Sequence, residues 1–230
     1  MNKHSEIRKE LRKFYDQVAE NFSSTRKYWW RDLHFIKKYL KREGKVLDFG
    51  CGNGRLLDFL EGTKLNYTGI DASGKLIKIA QKKYPGKSFL QIENEGRLPF
   101  KDKEFDMIFS IAVFHHFTPK MADNALGEMK RILKDDGILI LTIWNLWNVK
   151  YLKFLFKSFL KGSINLAARI SFKYQDQIKW RFCYWWTKRG ILKKMNNFEF
   201  KIIESGFTFG QKKKTKEKFK RNIFIVAGKK

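Results

Sequence analysis

The sequence predicts an α/β fold with a mostly parallel sheet. Between residues 45 and 144, apolar runs of strand length alternate with helically spaced segments, the pattern of linked βαβ units. A glycine-rich turn joins the first strand to the first helix, and an acid closes the second strand. The chain has 230 residues, which fits one domain plus an extension. Its 43% hydrophobic content is enough for a full core.

Lys45-Val-Leu-Asp-Phe-Gly50 reads as a short buried strand. It runs into Gly50-Cys-Gly-Asn-Gly54, and RLLDFL follows with helical spacing. Such a turn lets a ligand approach bare backbone and aims helix N–H groups at it. A dinucleotide fingerprint needs G-x-G-x-x-G. Here the last glycine comes one residue early, with Asp48 two residues before the first, so the pattern is D-x-G-x-G-x-G. Asn66 to Asp71 is the second strand, and a carboxylate at its end can accept two hydrogen bonds from a ribose diol. Ser88–Ile92 and Phe105–Phe109 are the third and fourth strands. A helix is expected over Leu126–Leu133, a turn at Asp135-Asp-Gly137, and a fifth strand over Ile138–Trp144.

Charge is distributed unevenly. The chain carries +26 overall. Residues 1–43 hold 12 Lys+Arg against 6 Asp+Glu, residues 44–143 hold 15 against 13, and residues 144–230 hold 22 against 4. A near-neutral middle beside a cationic end points to a polyanionic partner, nucleic acid or membrane surface. Cys51 and Cys183 are far apart, and no CxxC or Cys/His spacing appears, which argues against a zinc site or disulfide framework. That usage, with no apolar leader at the start, suits a reducing cytoplasm.

VLDFGCGNG, GIDAS, RLPF, FDMIFSIAVFHHF and RILKDDGILIL follow one another over residues 45–144. In order and spacing they resemble the motifs of class I S-adenosylmethionine-dependent methyltransferases. The resemblance implies a Rossmann-like, seven-stranded, mostly parallel sheet flanked by helices, with S-adenosylmethionine as cofactor. It assigns Asp48 and the backbone of Gly50, Cys51, Gly52 and Gly54 to the methionine part, and Asp71 and Ala72 to ribose and adenine. Tyr15, Glu95, Ser110 and Ile111 complete the implied cofactor set. Asn94 stands where the family has an Asp for the adenine amino group, and its amide oxygen can still accept that bond.

The N-terminal segment, Tyr15-Asp-Gln-Val-Ala-Glu-Asn-Phe-Ser-Ser-Thr-Arg26 with Trp30, resembles the opening of the tRNA wobble-uridine methyltransferases. SIAVFHHF is similar to that family's version of the motif after the fourth strand. Tyr184, Gly190, Leu192 and Arg221-Asn222 partly follow its ending. Trp185 replaces a family His, and Arg181 is shifted by one residue. The resemblance implies methylation of a carboxymethyl group on the anticodon's first base, and for the eukaryotic enzymes a small zinc-binding activator subunit. A carboxylate acceptor is ionised at neutral pH and needs no general base, but it needs an orienting cation. Arg26, His116 and Arg181 are the candidates. His116 is expected as a donor facing the substrate, against a structural role. If His115-His116 were a base, the acceptor would be a hydroxyl or amine.

WNLWNVKYLKFLFKSFLK, residues 144–161, reads as an amphipathic helix with Lys150, Lys153, Lys157 and Lys161 on one stripe. It is too interrupted to span a bilayer. Two uses are open: a helix over the substrate pocket with lysines toward tRNA phosphates, or a helix lying on an anionic membrane. Glu199–Glu204 and Asn222–Ala227 read as the last two strands, with the lysine-rich GQKKKTKEKFKR as the loop between them. The expected organisation is a helical cap (1–43), a cofactor-binding core (44–144), a basic aromatic insertion (145–186) and a C-terminal helix with strand hairpin (187–230). The favoured function is tRNA methylation. The alternatives are a methyltransferase for a small or lipid-like molecule at a membrane, and an RNA-binding protein without catalysis.

Overall fold

A computed structural model of the chain describes residues 3–26, 31–94, 96–160, 166–211 and 218–230. Its main sheet has seven strands: β1 (Glu43–Phe49), β2 (Lys64–Asp71), β3 (Ser88–Gln91), β4 (Phe105–Ile111), β5 (Leu133–Trp144), β8 (Phe200–Gln211) and β9 (Lys218–Lys229). Their order is β3-β2-β1-β4-β5-β9-β8. β1 pairs in parallel with both β2 and β4, which places the strand order's reversal beside it. Only β9 breaks the parallel run, lying antiparallel to β5 and β8.

Strand alternation sends successive residues to opposite faces. Leu47, Ile108 and Leu139 face one helical layer, which includes α1 (Lys3–Ser24), α4 (Pro119–Ile132) and α6 (Lys188–Asn197). Val46, Met107 and Ile140 face the other, with the 3-10 segment Arg31–Tyr39, α2 (Leu56–Phe59) and α3 (Gly74–Lys83). α1 buries Ile7, Leu11, Phe14 and Val18, a stripe at helical spacing. Local caps fix three helix starts. Ser73 accepts from Leu76 N–H, Thr118 from Met121 N–H ahead of Pro119, and Thr187 from Gly190 N–H.

The structure corrects several boundaries. α4 starts at Pro119, where the Thr118 cap sits. The expected turn at 135–137 lies inside β5. There the β4 pairing jumps from Phe105↔Leu133 to Met107↔Ile138, so the extra residues bulge out. The last hairpin is longer than expected, with pairing carried to Gln211↔Lys218. Residues 212–217 of the expected loop lie outside the described residues, as do Lys27, Trp30, Glu95 and Lys161.

The insertion holds the expected helix, α5 (Val149–Leu160), and a two-stranded hairpin that the sequence reading lacks, β6 (Ala167–Tyr174) with β7 (Gln177–Tyr184). α5 packs on the hairpin through Leu155, Ala168, Ile170, Cys183 and Trp185, a core separate from the other two. Among the described residues, no helix is long and apolar enough to cross a membrane.

Candidate active site

A cavity opens at the C-terminal ends of β1, β2, β4 and β5, the position that ligands take in open α/β sheets. Asp48, Gly50, Cys51, Gly52, Asp71, Ala72, Asn94 and Ile111 line it, together with Tyr15, Arg26, His116 and Arg181.

The glycine-rich loop is shaped by close approach. Gly50 has φ +78°, and a Cβ there would lie 2.3 Å from Val113 Cγ2. Gly52 has φ +56°, with Phe22 of α1 closing over it at 3.3 Å from a Cβ position. Asn53 ties the loop to the end of α1, its Nδ2 donating to Ser23 Oγ (3.2 Å) and to the Arg26 carbonyl (3.4 Å). Gly54 does not line the cavity. Its Cβ position meets the Tyr84 ring at 3.0 Å, so that glycine serves packing against α3. Ser110 is fully buried in β4, with its hydroxyl unpartnered, and does not line the cavity either. The resemblance assigns both to the cofactor set, and neither is among the residues that line this cavity.

Two buried acids stand behind the loop. Asp48 accepts from Tyr67 O–H at 2.9 Å. Burial pushes its pKa up to about 7, despite that bond and Arg55. Asp71 accepts from Gly52 N–H (2.9 Å) and Ser73 N–H (2.8 Å). Burial raises its pKa too, opposed by these backbone donors. Each Asp71 oxygen keeps a lone pair for a ligand hydroxyl. Asn94 Oδ1 accepts from Gly96 N–H at 2.7 Å, which leaves one lone pair toward the cavity edge. Ala112 takes φ +59° where β4 ends, its N–H held by Thr142 O and Oγ1. Backbone strain of this kind concentrates at functional sites.

The other part of the cavity is cationic and aromatic. His116 Nδ1 lies 2.8 Å from the Phe182 carbonyl, so that nitrogen carries the proton. Nε2 is then the acceptor for the Tyr15 hydroxyl at 2.7 Å. Burial, then Arg181, drives the His116 pKa down to about 3. The ring is neutral and both nitrogens are used, which corrects the expectation of a free donor toward substrate. His115, His116 and Cys183 bring donor atoms within 4.8 Å, with the His116 nitrogens taken by Tyr15 and the Phe182 carbonyl.

Arg181 is 5% exposed. Its guanidinium sits 4.5 Å from the Trp144 ring centroid, 5.6 Å from Phe172 and 5.8 Å from Phe14. Its Nε has no partner, and among the described residues no carboxylate pairs with it. Trp144 is itself backed by His115, stacked at 4.4 Å and 8°. Arg26 lies 4.2 Å over Phe22, with its pKa lowered chiefly by burial and then by Arg181. Trp185, at the family His position, is fully buried in the α5 core and does not reach the cavity. Sequence reasoning missed Trp144 as the shelf for Arg181. Its signal was an aromatic residue at the cavity end of the fifth strand.

These features fit S-adenosylmethionine: a buried carboxylate for an ammonium, a bare-backbone cradle, and an acid at the ribose position. A family model described as a methyltransferase domain matches residues 47–141. A putative methyltransferase of Encephalitozoon cuniculi is 31% identical over 198 residues, 85% of this chain and 89% of that protein. A tRNA (carboxymethyluridine(34)-5-O)-methyltransferase of Arabidopsis thaliana is 33% identical over 138 residues, and the match spans 60% of this chain but only 33% of that protein. The chain also matches 58% of the length of an uncharacterised Methanocaldococcus jannaschii protein, at 34% identity over 66% of its own. Among solved structures, a Methanosarcina mazei S-adenosylmethionine-dependent methyltransferase shares the fold, with TM-score 0.72 and 22% identity over 88% of this chain and 98% of that one. So does a Haloferax volcanii putative methyltransferase in complex with the activator Trm112, with TM-score 0.64 and 16% identity over 95% and 96%. On the cavity, the strand order and the Encephalitozoon match together, the chain belongs to the class I S-adenosylmethionine-dependent methyltransferases.

Proposed function

We propose that the chain methylates the carboxylate of a carboxymethyl-type modified wobble uridine in tRNA. The observation that carries this reading is Arg181, a buried guanidinium in the cavity with no acid partner among the described residues. A desolvated cation of that kind calls for an anionic acceptor. The names of the tRNA-modifying relatives agree with it.

The acceptor needs no base, since a carboxylate is ionised at neutral pH. The neutral, doubly bonded His116 suits that chemistry, because a ring with pKa about 3 and no free lone pair is a poor base. Arg181 orients the carboxylate, Arg26 lends a second positive charge, and Tyr15 holds His116 and Arg181 in register. Asp48 holds the cofactor's ammonium, the Gly50–Gly52 backbone its carboxylate, and Asp71 the ribose, with Ala72, Asn94 and Ile111 around the adenine. When bound, S-adenosylmethionine supplies an electrophilic methyl group on a sulfonium. Positioning of the acceptor for in-line attack then supplies much of the catalysis.

The exposed Lys218 and Lys220 of β9 support this reading as cations available to phosphates, beside Arg221, which pairs with Asp32 at 3.2 Å. A small activator subunit is a further proposed partner, in analogy to the Haloferax complex. The test is mass spectrometry of tRNA nucleosides from cells lacking the gene. The ester nucleoside should vanish and its free carboxymethyl form accumulate; an unchanged ester level overturns the reading.

A further inference from the structure

The insertion carries exposed apolar surface that the active site does not use. Along α5, Tyr151, Phe154, Leu155 and Ser158 face the β6–β7 hairpin. At about 100° per residue, the outward half of the helix divides in two. Leu152, Phe156, Phe159 and Leu160 form one strip, and Lys153 and Lys157 form the strip beside it. Phe156 is 63% exposed and Leu160 is 72% exposed. Contiguous exposed side chains of this size mark a contact surface.

Charge identifies the occupant. Residues 144–175 contain six Lys+Arg and no Asp or Glu. Across the groove that Lys157 and Leu160 line lie Glu6 and Glu10 of α1, and Glu10 is taken up by Arg169 at 2.7 Å. A second copy docking symmetrically on this strip would set lysines against lysines with no acid on the helix to pair them. RNA would gain little from Leu152 and Leu160, which offer no ring to stack on a base. An anionic lipid surface satisfies both strips: the apolar one enters the acyl boundary while the lysines meet the headgroups.

We propose that α5 is a peripheral docking element for anionic membranes. It lies flat, with Phe156 and Leu160 as its deepest side chains. The inference is independent of the acceptor, because none of these residues lines the cofactor cavity.

The test is flotation of the full chain with mixed phosphatidylglycerol and phosphatidylcholine vesicles. Wild type should float with them, retaining a bound fraction at high salt, and should not float with pure phosphatidylcholine. The double variant Phe156→Ser, Leu160→Ser leaves the net charge unchanged and should bind the mixed vesicles about tenfold more weakly or worse. Its melting temperature and cofactor affinity should stay at wild-type values, since both side chains are exposed. Three results overturn the proposal: no flotation of wild type, equal binding by the variant, or a wild-type dimer in sedimentation that the variant lacks. Equal binding would mean that bulk charge alone holds the chain to the vesicle.

Discussion

The Tyr15 hydroxyl donates to Nε2 of His116 at 2.7 Å, joining the N-terminal helix to the turn after β4 across 101 residues of sequence. The Phe182 carbonyl fixes the tautomer at Nδ1, burial and Arg181 keep the ring neutral, and the Tyr15 bond occupies the remaining lone pair, which removes the histidine as a base. Tyr15→Phe leaves a buried acceptor unpaired. It should lower stability by about 1–3 kcal/mol and weaken acceptor turnover more than cofactor affinity. Thermal melts and calorimetry with cofactor check the two halves.

Arg181 supplies the sharpest substitution. Arg181→Met should reduce kcat/KM for the acceptor roughly 30- to 1000-fold, the cost of leaving a desolvated charge unpaired. Arg181→Lys keeps the charge but not the planar fork, and should recover only part of that loss. Cofactor affinity, read by calorimetry, should be close to wild type in both.

Asp71→Ala removes the acceptor of the Gly52 and Ser73 N–H groups as well as the proposed ribose partner. Hydrogen bonds to charged groups contribute about 1.5–3 kcal/mol each. Cofactor affinity should therefore fall at least tenfold in calorimetry, while the melting temperature of the free protein should drop modestly.

The proposed contact of Asp48 with the cofactor's ammonium predicts pH-dependent binding. Its pKa in the free protein is raised to about 7, and a bound ammonium requires the charged form. Binding near neutral pH should therefore release a proton, and affinity should fall as pH drops below about 7. Calorimetry in two buffers of different ionisation enthalpy detects the proton. Asp48→Asn should bind weakly and without that pH dependence.

The free fold has two opposed acid responses. His116 titrates near 3 when folded and near 6.5 when unfolded. The unfolded chain binds the extra proton in that window, so stability is lost as pH falls from about 6.5 toward 3. Asp48 acts with the opposite sign: its raised pKa lets the folded state bind a proton first, so stability rises as pH falls from about 7 toward 4. Removing Asp48 with Asn should make the acid-side loss steeper in denaturant titrations across this range.

The cofactor half of the molecule was legible because its chemistry is local. Gly50, Gly52 and Asp71, proposed to hold the cofactor, take their places from backbone shape and a strand end, which spacing along the chain reveals. Spacing does not distinguish a glycine packed against Tyr84, as Gly54 is, from one facing the cavity. The proposed acceptor half is built across long separations. Arg181 comes from a hairpin that polar and aromatic residues obscured in the sequence, and its shelf, Trp144, comes from the end of β5. His116 looked like a donor because its partners, Tyr15 and the Phe182 carbonyl, lie 101 and 66 residues away. The bulge in β5 was hidden for a related reason, as Asp-Asp-Gly reads as a turn whether it ends a strand or interrupts one.

The most direct test of the account is transfer of labelled methyl from S-adenosylmethionine to tRNA carrying a free carboxymethyl wobble uridine, followed by mild alkali. An ester is saponified, whereas methyl groups on a base or ribose are not. The expected result is incorporation that depends on Arg181 and is released as methanol by alkali. Alkali-stable incorporation, or none into that tRNA when any required activator is supplied, would contradict it.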